Sequence, residues 1–357
     1  MTHKCPYYYR YRKIPTKANF MKKIPDDFNH PCILPATSRI TFSDHLDHFL
    51  ARWGFNRSGH AVKTGVYSLG NPTPDSPVFV TANYTLSFDA LRSALNHVDA
   101  YILILDTKSI NVWCASGKGS FGTDELIHRI ESTGLKDIVS HRVLILPQLG
   151  SPGVSAHQVK KESGFKVEFG PVRAEDLPKY LKDHKATPDM RKVQFTLRDR
   201  LILIPVELTH AILPVLILGT ISYFIDGFLA TWSIITVALT GIALYPILLP
   251  WIPTPNFSTK GFLLGTIAAL PFVLITLLGN PDVSFWIRAG KALAYLLAMP
   301  AVTAFLTLNF TGSTTYTSRS GVKSEIYTYV PRMAWMMGGS VVFILGLSLI
   351  RILGGSG

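Results

Sequence analysis

The residues with the clearest chemical potential lie in one short segment that joins a cysteine to several glycines. Cys114 stands beside Trp113, and glycines follow at positions 117, 119 and 122. A thiolate is a soft metal ligand and a nucleophile, and glycine lets a backbone approach a ligand closely. A cysteine in apolar surroundings is, however, more often a core residue. The residue types alone therefore leave Cys114 open as either a packing residue or a ligand.

Two nucleotide-binding motifs are suggested by the same segment, and the spacing argues against both. Residues 117–122 match the GxGxxG pattern, but a dinucleotide fingerprint must leave a strand directly, and residues 107–116 intervene after the preceding strand. A Walker A motif would need glycine where Val112 stands. The sequence therefore favours neither NAD nor a P-loop nucleotide.

The elements that must position this segment alternate between strand and helix from Pro77 to about His184. Continuous apolar runs predict buried strands at residues 78–81, 101–105, 143–146 and 166–169. Helices are predicted between and after them, at residues 87–97, 123–133, from Pro152 onward and near 174–184. Buried runs covered by helices are typical of a parallel sheet, so we predict an α/β, Rossmann-like, doubly wound domain.

Polar loops rich in glycine and proline follow the predicted strands. In open α/β sheets ligands bind beyond the carboxyl ends of the strands, although each loop taken alone is ordinary turn chemistry. The loop residues singled out are Thr81, Ala82, Asn83, Tyr84, Asp106, Thr107, Pro147, Gln148, Leu149, Gly150, Ser151, Pro152, Gly153, Gly170 and Pro171. The connection over residues 108–122, which carries Cys114, is longer than such a turn requires.

The second half of the chain has the composition of a membrane domain. From Leu201 onward there are seven Lys or Arg and four Asp or Glu residues, of 35 and 23 in the whole sequence. Apolar segments of about 20 residues, the length of a bilayer-spanning helix, are predicted at 201–225, 230–251, 261–279, 285–309 and 333–353. We therefore predict five transmembrane helices in a lipid bilayer.

The predicted organisation is an N-terminal extension over residues 1–40, an α/β domain over 41–190, a basic linker over 191–200 and the membrane domain over 201–353. A short helix from Ser43 to Trp53 opens the α/β domain.

Charge and cysteine usage predict the cellular location. The net charge is +12, but the basic residues form no single stripe, so no nucleic-acid partner is expected. Several of them directly precede the first apolar segment, which by the positive-inside rule places the soluble domain in the cytoplasm. Three cysteines without a CxxC pair suit a reducing compartment, and the N-terminus shows no apolar signal region. We expect a multi-pass protein of the cytoplasmic membrane.

Glu207 and His210 are the ionisable pair that falls inside the first apolar segment. Such residues are costly in lipid and mark function by default. A position near the cytoplasmic end, facing water or other helices, is the favoured interpretation.

A family resemblance adds to these patterns. Residues 111–119, Asn-Val-Trp-Cys-Ala-Ser-Gly-Lys-Gly, resemble the cap-helix signature of the mercury-methylating corrinoid proteins, with Ser116 where a smaller residue is usual. The likeness extends through residues 76–84, 105–108, 141–142, 146–150, 170–174 and 205–208. These loop motifs also resemble the corrinoid iron–sulfur protein of the acetyl-CoA pathway.

The resemblance implies a cobalamin-type corrinoid, bound base-off on the carboxyl edge of the sheet. Cys114 is implied to be the lower axial cobalt ligand, Thr81 to Asn83 to line the corrin, and Pro147 to Val154 to receive the ring edge or nucleotide tail. Asn111 and Trp113 are implied to shape the cap. The residues implied to bind the cofactor are Thr81, Ala82, Asn83, Tyr84, Asp106, Thr107, Asn111, Val112, Trp113, Cys114, Ala115, Gly117, Lys118, Gly119, Phe121, Pro147, Gln148, Leu149, Gly150, Pro152, Gly153 and Val154.

The activity implied by the resemblance is transfer of a methyl group from cobalt to Hg(II), giving methylmercury. An electron-donating thiolate favours such a transfer, by analogy with thiolate-ligated haem. The implied partners are a ferredoxin-like iron–sulfur protein and a folate-dependent methyltransferase as methyl donor. One alternative is a membrane-tethered corrinoid methyl carrier of the acetyl-CoA pathway, which should not need the axial cysteine. Another is a non-catalytic corrinoid-binding or transport protein.

Overall fold

The structure is a computed structural model that describes residues 33–279, 281–314 and 319–354. Most of the predicted N-terminal extension, with Cys5 and Cys32, lies outside the described residues. The chain divides into two compact units, residues 1–193 and 194–357. The division falls within the predicted basic linker.

The first unit is built on a six-stranded mixed sheet with the strand order β1-β2-β4-β3-β5-β6. The strands are β1 (Ile33–Ala36), β2 (Gly65–Leu69), β3 (Val78–Ala82), β4 (Ala100–Leu105), β5 (Val143–Leu146) and β6 (Lys166–Phe169). Strands β3 to β6 are parallel, as predicted, whereas β2 runs antiparallel to β4. The expectation of a fully parallel sheet was therefore wrong at β2, and the short strands β1 and β2 were not predicted.

Helices cover both faces of this sheet because successive strand residues point to opposite sides. In β4, Leu103 and Leu105 enter one buried cluster, while Ile102 and Ile104 enter the other. The helices of the unit are α1 (Phe42–Arg52), α2 (Thr85–Ala94), α3 (Val112–Lys118), α4 (Thr123–Ser132), α5 (Leu135–Ile138), α6 (Ala156–Ser163) and α7 (Leu177–Asp183). Side chains of α2 and α7 pack in the cluster that contains Ile102 and Ile104, and side chains of α4 and α6 pack in the cluster that contains Leu103 and Leu105.

Two helices begin at residues other than those predicted, because a capping residue sets each start. Thr41, not Ser43, caps α1: the Asp44 N–H donates to Thr41 Oγ1, and the Thr41 N–H donates to Asp44 Oδ2. The helix expected from Pro152 begins at Ala156, after a 3-10 turn at Gln148–Gly150, because Ser155 caps it. These reciprocal cap bonds satisfy backbone donors that the first helical turn leaves free.

Strands β3 and β5 are neighbours in the sheet, but the connections that follow them cross opposite faces of it. The connection after β3 runs through α2 on one face, and the connection after β5 runs through α6 on the other. In open α/β sheets such a switch point opens a crevice at the carboxyl ends of the two strands. Asn83 follows β3 and Pro147 follows β5 at this point.

The second unit is helical. Its helices are α8 (Leu197–Leu201), α9 (Ile204–Leu239), α10 (Tyr245–Leu248), α11 (Phe257–Leu278), α12 (Phe285–Asn309) and α13 (Arg319–Gly354). Within the described residues, four stretches are long and apolar enough to cross a membrane: Leu197–Leu248, Phe257–Leu278, Phe285–Asn309 and Ser320–Leu349. The predicted count of five transmembrane helices is therefore not confirmed, because one 52-residue stretch contains the first two predicted segments.

That first stretch folds back on itself. Asp226 (φ −142°, ψ 17°) and Gly227 (φ 76°, ψ −159°) have non-helical backbone angles inside α9. Beyond the break, Thr231 Oγ1 donates to the Gly219 carbonyl at 3.1 Å. In a continuous helix these residues would be about 18 Å apart. The contact shows a helical hairpin, which explains why the sequence predicts two apolar segments here.

Several charged side chains of this unit bond to helix ends. Glu325 accepts from the Phe257 and Ser258 N–H groups at 3.2 and 3.0 Å, at the start of α11. Arg288 donates to the Leu277 carbonyl at 2.7 Å, at the end of the same helix. These groups match the polarity of the helix ends and satisfy their free backbone atoms. Glu207 lies in the first turn of α9.

Candidate functional site

The carboxyl edge of the sheet is organised around the amide of Asn83. Asn83 Oδ1 accepts from the Thr107 N–H at 3.0 Å, from Thr107 Oγ1 at 2.9 Å and from the Ser109 N–H at 3.1 Å. Its Nδ2 donates to Asp106 Oδ1 at 3.2 Å. Asn83 is 8% exposed, so these bonds form away from water and define one geometry for the loop.

The bonded loop has an unusual backbone. Lys108 and Ser109 both adopt positive φ angles, 59° and 58°. Two successive non-glycine residues whose backbone angles lie in the left-handed region are strained. Such strain persists only where the surrounding structure enforces it. The bonds from Asn83 and from Asp106, whose Oδ1 accepts from the Lys108 N–H at 3.0 Å, supply that enforcement.

Glu125 and Arg129 also hold this loop, and neither was predicted as a site residue from the sequence. The Asp106 N–H donates to Glu125 Oε1 at 2.7 Å, and Arg129 Nη2 donates to the same oxygen at 2.8 Å. A glutamate four residues before an arginine is a recognisable helix-surface pair. Glu125 also accepts the bond from the Asp106 N–H at the end of β4. That contact depends on tertiary packing, so no local sequence pattern predicts it.

The segment predicted as a long connection folds into the short helix α3. Asn111 caps its start, since Asn111 Oδ1 accepts from the Cys114 N–H at 2.9 Å. Gly119 ends it in a left-handed conformation with φ 86°. Val112 and Ala115 are buried beneath the helix, while Cys114 is exposed and in no disulfide. The fold therefore presents the thiol outward on a capped turn.

Glycines let α3 and its following turn sit directly on the loop after β5. A Cβ on Gly150 would lie 2.6 Å from the Phe121 ring, and one on Gly153 would lie 2.2 Å from the Phe121 carbonyl oxygen and 3.1 Å from Ser116 Cα. Contacts under 3.0 Å cannot be accommodated without movement. The loop and the helix are therefore in backbone contact, and the position of Cys114 depends on it.

We expect Gly153→Ala to loosen α3 while leaving the sheet intact, because its methyl group forces the Phe121 backbone away. Overpacking of this kind costs about 1–3 kcal/mol, so amide exchange in α3 should accelerate on the order of tenfold to a hundredfold. Hydrogen-exchange mass spectrometry of residues 112–121 measures it. Gly338→Ala is the matched control, since a Cβ there meets nothing within 4 Å. Unchanged exchange in Gly153→Ala would contradict the backbone contact.

The residues predicted to bind a cofactor divide into an outer and an inner set. Those at the surface or half-buried are Tyr84, Asp106, Asn111, Trp113, Cys114, Gly117, Lys118, Gly119, Pro147, Gln148, Leu149, Pro152 and Gly153. Those buried in the unit are Thr81, Ala82, Asn83, Thr107, Val112, Ala115, Phe121, Gly150 and Val154. The structure thus brings the predicted loops to one edge, with the inner set packed or bonded beneath them.

The donor set around Cys114 suits a metal that brings most of its own ligands. Among the described residues no three His, Cys, Asp or Glu side chains are grouped to hold a metal ion. A single exposed soft thiol can still supply one axial bond to a metal in a macrocycle. Beside it, the buried hydroxyls of Ser116 and Ser120 have no hydrogen-bond partner among the described residues. The residues present therefore fit a corrinoid better than a protein-only metal site.

Comparison with known proteins matches this same part of the chain. The family model for the CO dehydrogenase/acetyl-CoA synthase delta subunit matches residues 53–181. The chain is 31% identical over 128 residues to the acetyl-CoA decarbonylase/synthase complex subunit gamma of Methanopyrus kandleri, covering 35% of this chain and 27% of the relative. It is 32% identical over 130 residues to subunit gamma 2 of Methanosarcina mazei, with 35% and 27% covered. The chain spans about a quarter of the length of these curated relatives.

These relatives correct the family suggested by residues 111–119. The matches are to subunits of acetyl-CoA enzymes, so the assignment to the mercury-methylating proteins is wrong. The predictions that depended on that assignment are also wrong. They are a methyltransferase acting on Hg(II), methylmercury as its product, and the ferredoxin-like protein and the folate methyltransferase as partners. The nine-residue cap segment carried that assignment, whereas the loops shared with the corrinoid iron–sulfur protein pointed to the acetyl-CoA pathway.

Proposed function

We propose that the first unit binds a corrinoid and carries a methyl group in chemistry of the acetyl-CoA type, and that the second unit tethers it to a membrane. The observation that carries this proposal is the position of the family match. Residues 53–181 include β3 to β6 and every loop at the switch-point crevice. The similarity to acetyl-CoA decarbonylase/synthase subunits thus falls on the residues that form the candidate site.

The residues proposed to hold the corrinoid come from three loops. Residues 147–154 receive the ring edge or the nucleotide tail, and Tyr84 borders the crevice from the end of β3. Cys114, exposed on α3, would hold the cobalt through its thiol. When bound, a corrinoid supplies a cobalt centre that can accept and release a methyl group.

The chain's own contribution is to orient and shield. Asn83 fixes the loop after β4, Asn111 fixes the first turn of α3, and the glycines after β5 fix how closely α3 sits. The Cys114 thiolate, a soft donor, would supply electron density to the bound metal. The cysteine is thus proposed to tune a carrier rather than to perform a separate reaction.

The membrane tether is proposed from the four apolar stretches of the second unit. Arg198 and Arg200 lie at the start of the first of them, and by the positive-inside rule we place the soluble unit on the cytoplasmic side. Glu325 and Arg288 bond to helix ends, so these two groups add no support to a transport function.

The test uses the full chain purified anaerobically in detergent and loaded with a cobalamin-type corrinoid. We expect about one cobalt per chain and a corrinoid absorption spectrum, the stoichiometry of a single crevice. The loaded protein is then methylated chemically and added to an acetyl-CoA decarbonylase/synthase preparation that lacks its gamma subunit. Restored acetyl-CoA synthesis supports a methyl carrier. Corrinoid binding without restoration would reduce the function to cofactor binding, and absence of bound corrinoid would overturn the proposal.

A further inference from the structure

Helix α1 has its polar side facing inward. Asp44, 5% exposed, accepts from Arg92 Nη2 at 2.9 Å, and Arg92 Nε donates to Asp89 at 2.7 Å. His48 Nε2 lies 2.9 Å from the other oxygen of Asp89, and Asp47 lies 2.8 Å from the ring of His60. The three polar positions 44, 47 and 48 share one face at helical spacing. The side chains on that face belong to a network of ion pairs and hydrogen bonds.

The opposite face of α1 is apolar and exposed. The exposed fractions are 84% for Phe42, 49% for Leu46, 54% for Phe49 and 37% for Leu50. At 100° per residue these four positions point away from the polar ones. Trp53 continues the stripe, since its ring lies 5.9 Å from that of Phe49. We define the docking face as Phe42, Leu46, Phe49, Leu50 and Trp53.

The charges bordering the docking face are cationic. Within residues 39–55 the two acids are the inward-facing Asp44 and Asp47. Arg39 is exposed, and Arg52, in the last turn of α1, is half-buried. An apolar stripe with aromatic residues and a basic border is the composition of helices that lie in the interface of an anionic membrane.

The covalent structure favours a bilayer over a protein partner. The first unit ends at Val193 and the first apolar stretch begins at Leu197, a link of about 10 Å when extended. A unit held this close to a membrane needs little affinity to rest on it, because tethering raises the effective concentration. The face of an 11-residue helix, about 16 Å long, is small for a stable protein interface of about 1,000 Å² or more.

We propose that the exposed apolar face of α1 lies in the headgroup region of the membrane that holds the second unit, with anionic lipid as its ligand. The proposal rests on the tether described under the proposed function but not on the corrinoid. Phenylalanine and leucine side chains enter the acyl boundary, while Arg39 and Arg52 remain at the level of the lipid phosphates. The docked helix fixes which side of the first unit faces the bilayer.

The test uses the full chain in vesicles of phosphatidylcholine and phosphatidylglycerol, with bromine atoms near the headgroup end of one acyl chain. The quenching due to Trp53 is the difference between the wild type and Trp53→Phe. We expect Trp53 to be quenched, and more strongly as phosphatidylglycerol is added or salt removed. Leu46→Glu and Phe42→Ser should lower the quenching to the Trp53→Phe level. Ala90→Glu, an equal charge on the exposed side of α2, should leave it unchanged.

The other outcomes overturn the proposal in distinguishable ways. Trp53 unquenched in the full chain but quenched after deletion of residues 1–32 would assign the face to that segment. Unquenched Trp53 with a particle size that falls in Leu46→Glu would assign it to a second copy of the chain. A chain that fails to float with the vesicles would overturn the membrane tether as well. None of these readouts needs bound corrinoid, whose absorbance separately tests the proposed function.

Discussion

Cys114→Ala should keep its corrinoid but change the visible absorption bands of the bound cofactor. Alanine offers no donor, so water or the cofactor's own base takes the axial position that the thiolate is proposed to fill. Axial ligands move haem potentials over about 0.8 V, so a cobalt potential shift on the order of 0.1 V is expected. Absorption spectroscopy during a reductive titration measures both effects.

The matched control for this change is Ser116→Ala. Ser116 lies on the same helix, and its buried hydroxyl has no hydrogen-bond partner among the described residues. Its removal should leave the bands in place and the helix at least as stable. Unchanged bands in Cys114→Ala, with cobalt still bound, would remove the ligand role. The methyl-carrier proposal would survive that result, because a corrinoid carrier does not in itself require a protein thiolate.

Asn83→Ala is expected to cause the largest loss of stability at the site. The change removes one acceptor from two backbone N–H groups and one hydroxyl, and it removes the donor to Asp106. Thr107 is fully buried, so its N–H finds no water in exchange. Each unsatisfied buried donor costs about 1–3 kcal/mol, giving a total on the order of 3–5 kcal/mol. The left-handed backbone at Lys108 and Ser109 should then relax.

Native-state hydrogen exchange of β3 and β4 amides in the full chain measures this loss without assuming two-state unfolding of both units. The control is Asn96→Ala, an exposed asparagine whose loss should change stability by no more than about 0.5 kcal/mol. Equal protection in the Asn83 and Asn96 variants would show that the Asn83 amide is not what holds the loop. Corrinoid retention should fall in the Asn83 variant only.

The parallel part of the sheet could be predicted because its strands are continuous apolar runs. Residues 101–105, for example, are fully buried in β4. Strand β2 was missed because its sequence, Gly-Val-Tyr-Ser-Leu, has neither a clean alternation nor a continuous run. Its pairing with β4 places it in the sheet, and pairing between distant segments leaves no local pattern.

The candidate site was predictable in position but not in internal structure. Loops at the carboxyl ends of the strands follow from general α/β geometry. The local pattern did not predict helix α3, since seven residues that include Gly117 have weak helical propensity and depend on the Asn111 cap; only the resemblance of residues 111–119 to a cap-helix signature suggested a helix there. Asn83 was expected to line a ligand, and that role stays a prediction, while the structure shows its amide bonded to the neighbouring loop. Distinguishing these roles requires burial and bond partners, which one sequence does not contain.

The glycine contacts after β5 have a mechanical consequence. Where two elements meet through long side chains, rotamer changes absorb small displacements, and each element can drift. At Gly153 no side chain lies between the two elements, because a Cβ there would lie 2.2 Å from the Phe121 carbonyl oxygen and 3.1 Å from Ser116 Cα. A displacement of either partner is therefore transmitted almost undiminished to the other. The thiol of Cys114 is consequently placed with the stiffness of the backbone itself, which is the tolerance that a bond to a metal requires.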